Sequence, residues 1–78
     1  MERHETYMRE ALAEAEEGGR QGEVPVGALL VTPDGDIIAR AHNQPISLND
    51  PTAHAEILVL RQGAEHVANY RLPGHVLY

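Results

Sequence analysis

The stretch Asp50-Pro51-Thr52-Ala53-His54-Ala55-Glu56 decides how the rest of the chain is read. Asp50 is a favourable N-cap, and Pro51 suits the first helical position, where a missing N–H is no loss. The apolar run Ile57, Leu58, Val59, Leu60 follows at once. This pattern predicts a helix from about Pro51 to Glu65, with His54 and Glu56 in its opening turns. Unpaired N–H groups and the helix dipole favour an anionic ligand such as hydroxide at that end. On an ideal helix, residues two apart point roughly 200° from each other. His54 and Glu56 can therefore converge only near a helix end, around an object wide enough to touch both. A metal ion with its bound water is such an object. The spacing alone is common, so the longer context decides its weight.

Upstream, residues 4 to 17 read as an amphipathic helix. Met8, Ala11, Leu12 and Ala15 form its apolar stripe, and Gly18-Gly19 is its expected stop. Val24 to Thr32 reads as a strand apolar on both faces, with Pro25 tolerable only near its start or at an edge. Gly27 within it marks either a close backbone approach or a bulge. Pro33-Asp34-Gly35-Asp36 is a turn, because proline presets φ and glycine accepts a positive φ. Ile37 to Asn43 is the return strand of an antiparallel hairpin. Beyond the second helix, Asn69 to Gly74 is a connector, and His75-Val76-Leu77-Tyr78 opens a third strand. The second helix is apolar over more than half its circumference, which predicts burial on more than one side.

Seventy-eight residues make one small domain at most. With no Trp and no Phe, its core must come from Val, Leu, Ile and Ala, with three Tyr. A formal net charge of −6 argues against non-specific nucleic-acid binding by these residues, and DNA is not an expected partner. It leaves room for an RNA partner met through other surfaces. There is no cysteine, so neither disulfides nor thiolate ligands form within the chain. The polar N-terminus is not a signal peptide, and no run approaches membrane-spanning length, so the expected location is the cytoplasm. Of the five histidines, His4, His66 and His75 read as ordinary surface or core residues. His54 differs because small Ala53 and Ala55 flank it and Glu56 follows.

Glu23-Val24-Pro25-Val26-Gly27-Ala28, Asn43-Gln44-Pro45-Ile46, Asp50 to Ile57, Leu60-Arg61 and Asn69-Tyr70-Arg71-Leu72 together resemble the bacterial tRNA adenosine deaminases, the TadA family. Guanine deaminases share the Asp-Pro-Thr-Ala-His-Ala-Glu stretch, but tend to carry Pro-Phe-Gly-Ala in place of Val-Pro-Val-Gly-Ala and lack the Asn-Tyr-Arg-Leu connector. The resemblance implies a cytidine deaminase-like three-layer α/β/α fold, with helix, hairpin, helix and the start of a third strand within residues 1–78. It also implies a zinc hydrolase that converts adenosine to inosine at the tRNA wobble position. His54 would be one of three protein ligands to Zn2+, and Glu56 the proton carrier. Asn43 would contact the substrate nucleoside, Val26 and Ala28 would line or support the pocket, and backbone N–H groups around Ala55 would hold developing negative charge. A tRNA anticodon loop and a homodimer are the partners implied.

The family's other two ligands are cysteines in a Pro-Cys-x-x-Cys turn beyond the third strand, and these residues contain none. The expectation is thus the N-terminal part of a deaminase domain, inactive by itself. A catalytically dead pairing module and a guanine- or cytosine-type deaminase piece are the alternatives. A truncated third strand and an incompletely covered second helix predict exposed apolar surface.

Overall fold

The computed structural model describes residues 3–78, leaving Met1 and Glu2 outside it. Five elements follow in order: α1 (Arg3–Arg20), β1 (Gly27–Val31), β2 (Ile37–His42), α2 (Ala55–Val67) and β3 (Val76–Leu77). The strands form one sheet in the order β2-β1-β3, and both pairings are antiparallel. Tyr78 extends the second ladder through a reciprocal pair of 3.0 Å hydrogen bonds with Leu29.

β1 is the centre because its side chains alternate between two apolar layers. Ala28 and Leu30 pack with Ala39, Ala41, Ala55 and Val59 on the α2 side. Leu29 and Val31 pack with Tyr7 and Ala11 on the α1 side. A strand covered on both faces has no polar alternation, which is why residues 28–31 read as an unbroken apolar run. The expected α/β/α layering is therefore present in these residues, as a three-stranded antiparallel sheet between two helices.

β2 has one dry face and one charged face. Ala39 and Ala41 meet α2, while Arg40 pairs with Glu10 at 3.0 Å and His42 Nδ1 lies 3.2 Å from Glu14 Oε1, both across to α1. Pairing shifts from Leu30↔Ala39 to Val31↔Ile37, so β2 carries one extra residue there. The bulge sends Ile38 to the α2 layer and Ile37 to the α1 layer, the reverse of what strict alternation from Ala39 would give. The hairpin turn falls where expected, with Gly35 at φ +92° and its carbonyl accepting the Tyr7 hydroxyl at 2.6 Å.

Several boundaries differ from the sequence expectation. α1 continues through Gly18-Gly19 to Arg20. Gly18 is a contact residue, not a stop: a Cβ there would lie 3.0 Å from the His42 side chain. Termination falls instead to Gly22 at φ +84°, where the Gly22 and Glu23 N–H groups reach the Gly19 and Gly18 carbonyls. The buried stripe of α1 is Tyr7, Ala11 and Gly18, leaving Met8 46% and Leu12 58% exposed. Glu10 and Glu14 turn toward Arg40 and His42, which rotates the expected stripe by about one residue. The first strand begins at Gly27, not Val24, because the register with β2 starts there and Val26 gives β2 only its carbonyl, to the Asn43 N–H.

α2 begins at Ala55, four residues after Pro51, and ends at Val67 with Ala68 in the left-handed region. Its fully buried residues are Ala55, Val59 and Gly63, one residue per turn, while Leu60 and Val67 reach solvent. The expected broad apolar face is thus covered along a narrow stripe only, and exposed apolar surface remains. Among the described residues, no helix is long and apolar enough to cross a membrane.

Candidate functional site

The site is built at the point where β2 ends. Asn43 is buried; its N–H donates to the Val26 carbonyl at 3.0 Å, and its Oδ1 accepts the Ala55 N–H at 2.8 Å. Next to it, the Gln44 N–H donates to the Ala53 carbonyl at 2.9 Å. Together these bonds hold residues 53–55 against the end of β2 and keep His54 extended, at φ −82° and ψ 150°. A residue so held cannot be helical, which is why α2 starts late. Asp50 is not its cap. The Asp50 carboxylate instead accepts the Thr52 N–H and hydroxyl, both at 2.8 Å, in a local turn.

Ala53 and Ala55 are completely buried, and His54 and Glu56 on either side of Ala55 are exposed. Side chains larger than alanine at 53 or 55 would press into the core and tilt the segment. His54 occupies the N-cap position of α2 without capping it, and its carbonyl accepts the first helical bond, from Leu58 at 3.0 Å. Because His54 lies outside the regular helix, the 200° divergence expected for two helical residues does not apply to this pair.

The structure relates the remaining expected site residues as follows. Asn43 contacts Ala55 directly and Val26 through its backbone. Ala28 shares the α2-side core with Ala55, and the Val26 side chain is exposed. The Ala55 N–H is already occupied by Asn43, so any charge-stabilising donors of this helix end come from the N–H groups that follow. The capping role of Asn43 has no local signal, since it acts across twelve residues. Asn43→Ala is expected to destabilise the chain by about 0.5–2 kcal/mol, the usual cost of losing an N-cap, measured by urea unfolding.

Two carboxylates near this end are held below their ordinary range. Asp50 is lowered by the Thr52 N–H, then by the Thr52 hydroxyl, with Arg61 3.9 Å away contributing less. Glu23 is lowered chiefly by the Ser47 hydroxyl, against the opposing effect of burial. For a lowered carboxyl, the stability contribution is present above the unfolded pKa and disappears as pH falls through the folded one. Below about pH 4.5, the parent chain should therefore lose thermal stability faster than Glu23→Gln, in which that titration is absent. Melting temperatures of both proteins between pH 7 and pH 3 check this.

Zinc requires three or four protein donors. Among the described residues no group of three His, Cys, Asp or Glu side chains converges. His54 fits a single ligand position. A closed metal site is not formed by these residues.

Comparison with known proteins places this geometry. The family model for the cytidine and deoxycytidylate deaminase zinc-binding region matches residues 1–78. The tRNA-specific adenosine deaminase of Agrobacterium fabrum is 51% identical over 72 residues, which is 92% of this chain and 47% of that one. A tRNA(Ile)-lysidine synthase from Thermus thermophilus is 53% identical over 68 residues, only 13% of its length. Among solved structures, one from studies of A-to-I editing by tRNA:A34 deaminases at the wobble position superposes with a TM-score of 0.90. It is 51% identical and covers 94% of this chain and 52% of its own. The guanine deaminase of Bacillus subtilis gives a TM-score of 0.92 at 40% identity, covering all of this chain and 49% of that one. The chain spans about half the length of the deaminases it matches. The match of that family model to residues 1–78, over a fold that presents His54 and Glu56 from a sheet-anchored helix start, makes this chain a member of the cytidine and deoxycytidylate deaminase zinc-binding family.

Proposed function

We propose that this chain supplies the His54–Glu56 half of a zinc-dependent hydrolase that deaminates adenosine to inosine at the wobble position of tRNA. The observation that carries the reading is the outward presentation of His54 and Glu56 from either side of a buried, hydrogen-bonded Ala55. The kinship with tRNA-specific adenosine deaminases supports the choice of substrate.

His54 would contribute one imidazole to a site whose other donors lie outside these residues. Bound zinc supplies a water acidified toward neutral pH. Glu56, placed in the first turn of α2 and open to solvent, would move two protons in turn: the first, from the water, goes to the base ring nitrogen, and the second, from the hydroxyl added at C6, goes to the amino group that leaves as ammonia. The net change adds water at C6 of adenine and releases ammonia, leaving a carbonyl. Asn43 spends its Oδ1 on Ala55, which leaves its NH2 end for the nucleoside. The exposed Val26 side chain would line one wall, and Ala28, buried in the same core cluster as Ala55, would support it from within. Free N–H groups of the first turn of α2, after Ala55, face the charge that develops on the substrate. A homodimer and a cytoplasmic location belong to the same proposal, and the apolar side chains left in solvent on α1 and α2 favour a covering partner.

The close superposition on a guanine deaminase favours a second reading, in which the base is a free purine. A chimera separates the two: residues 1–78 replace the matching part of the Agrobacterium enzyme. Conversion of the wobble adenosine in an anticodon stem-loop, without turnover of free guanine, is the expected result. Turnover of guanine alone would replace the proposal by the second reading.

A further inference from the structure

We propose that Glu23 is a positioning residue of this site, fixing the loop 44–50 that carries the chain from Asn43 to His54; the inference rests on the function proposed above. Glu23 is only 5% exposed, and its carboxylate takes three hydrogen bonds from the dipeptide Ile46-Ser47. The Ile46 N–H donates at 3.3 Å, the Ser47 N–H at 2.8 Å and the Ser47 hydroxyl at 2.6 Å.

The rest of the loop is bonded to itself. The Leu48 N–H reaches the Gln44 carbonyl, Asn49 reaches Ile46, and Asp50 reaches Pro45, at 2.9 to 3.1 Å. It is therefore a stiff bend, and its attachment points set its position. One is the Gln44–Ala53 bond at its neck; the other is Glu23 at its middle. Three residues on from Glu23, the Val26 carbonyl accepts the Asn43 N–H, and Asn43 in turn holds Ala55. Glu23, the loop, Asn43 and Ala55 thus form one hydrogen-bonded frame around His54.

Holding the loop in this place does not bury its apolar side chains. Ile46 is 75% exposed and Leu48 is 52% exposed. A clamp serving only the fold would be expected to draw them inward. A buried carboxylate is also a costly fastener unless fully hydrogen-bonded, and charged acceptors hold geometry more tightly than neutral ones. What the clamp secures is the placement of Pro45-Ile46 beside Asn43, where a nucleoside would enter.

The test uses the zinc-loaded chimera described above and a tRNA anticodon stem-loop. Glu23→Gln is expected to raise KM about tenfold with kcat within about twofold and zinc content unchanged, the pattern of lost substrate binding and not of lost chemistry. Ser47→Ala, which removes only the hydroxyl contact, should give a smaller rise in the same direction. If Glu23→Gln does not fold, the Ser47→Ala measurement decides alone. An active parent chimera whose KM is unmoved by these changes overturns the role of Glu23. A folded, zinc-loaded parent that deaminates nothing overturns the proposed function, and this inference falls with it.

Discussion

Gly27→Ala is expected to destabilise the 78-residue chain by about 3 kcal/mol or more, enough to abolish a cooperative urea transition in a domain of this size. A Cβ on Gly27 would lie 2.1 Å from the Ala11 carbonyl oxygen and 2.5 Å from the Ala15 nitrogen. Both are backbone atoms of a regular helix, so neither can rotate away. Relief requires α1 to lift from the sheet, which would open the layer of Tyr7, Ala11, Leu29 and Val31. Gly63→Ala is the internal comparison. Its Cβ would lie 2.2 Å from Leu30 Cδ2, a side-chain tip that can change rotamer, with the next atoms at 3.7 and 3.8 Å. Alanine also gains about 1 kcal/mol of helix propensity over glycine in α2. Gly63→Ala should therefore cost much less than Gly27→Ala. Equal losses in paired urea titrations would show that the approach of α1 to β1 is not backbone-limited.

The second large effect concerns chemistry. In the active chimera, Glu56→Gln is expected to lower kcat by about 10²–10⁴-fold, the range contributed by a positioned proton carrier. Zinc content should stay at the parent level, because Glu56 is not a ligand in the proposal. His54→Ala should instead lose the metal and the activity together. Atomic absorption and single-turnover inosine formation on the same samples separate the two outcomes. Loss of zinc in Glu56→Gln would make that carboxylate a ligand and assign the proton carrier elsewhere. Both substitutions lie on exposed side chains beside a buried alanine, so neither should disturb the core.

Local pattern sufficed where structure is local. The apolar run 28–31, the Pro33–Asp36 turn and the return strand followed from residue type and spacing, and Gly27 was legible as a point of close approach. The helix ends were not, because distant partners set them. Asp50 and Pro51 make a convincing helix start in isolation, but the Gln44–Ala53 and Asn43–Ala55 bonds hold residues 53–55 against the end of β2, keep His54 extended and defer α2 to Ala55. Gly18-Gly19 likewise reads as a stop, yet Gly18 is buried under His42 and the helix continues. The stripe of α1 moved because Arg40 and His42 on β2 attract Glu10 and Glu14, a pairing invisible to periodicity.

The candidate site shows the same division. His54 and Glu56 were legible from their spacing, their small neighbours and the longer motif. That Asn43 caps α2, and that Glu23 is buried against Ser47, were not: Asn43 reads as the end of a strand and Glu23 as part of a polar loop, and each has its partner twelve or more residues away. The geometry also removes a difficulty that the sequence raised. Two residues of one helix could hardly share a ligand, but His54 precedes α2 and Glu56 lies in its first turn.

Whether His54 and Glu56 serve a wobble deaminase is tested by inosine formation at the wobble adenosine by the chimera of residues 1–78 with the remainder of the Agrobacterium enzyme. A zinc-loaded protein that converts the anticodon stem-loop is expected, with conversion lost in Glu56→Gln while zinc is kept. A folded, zinc-loaded chimera that forms no inosine would contradict it.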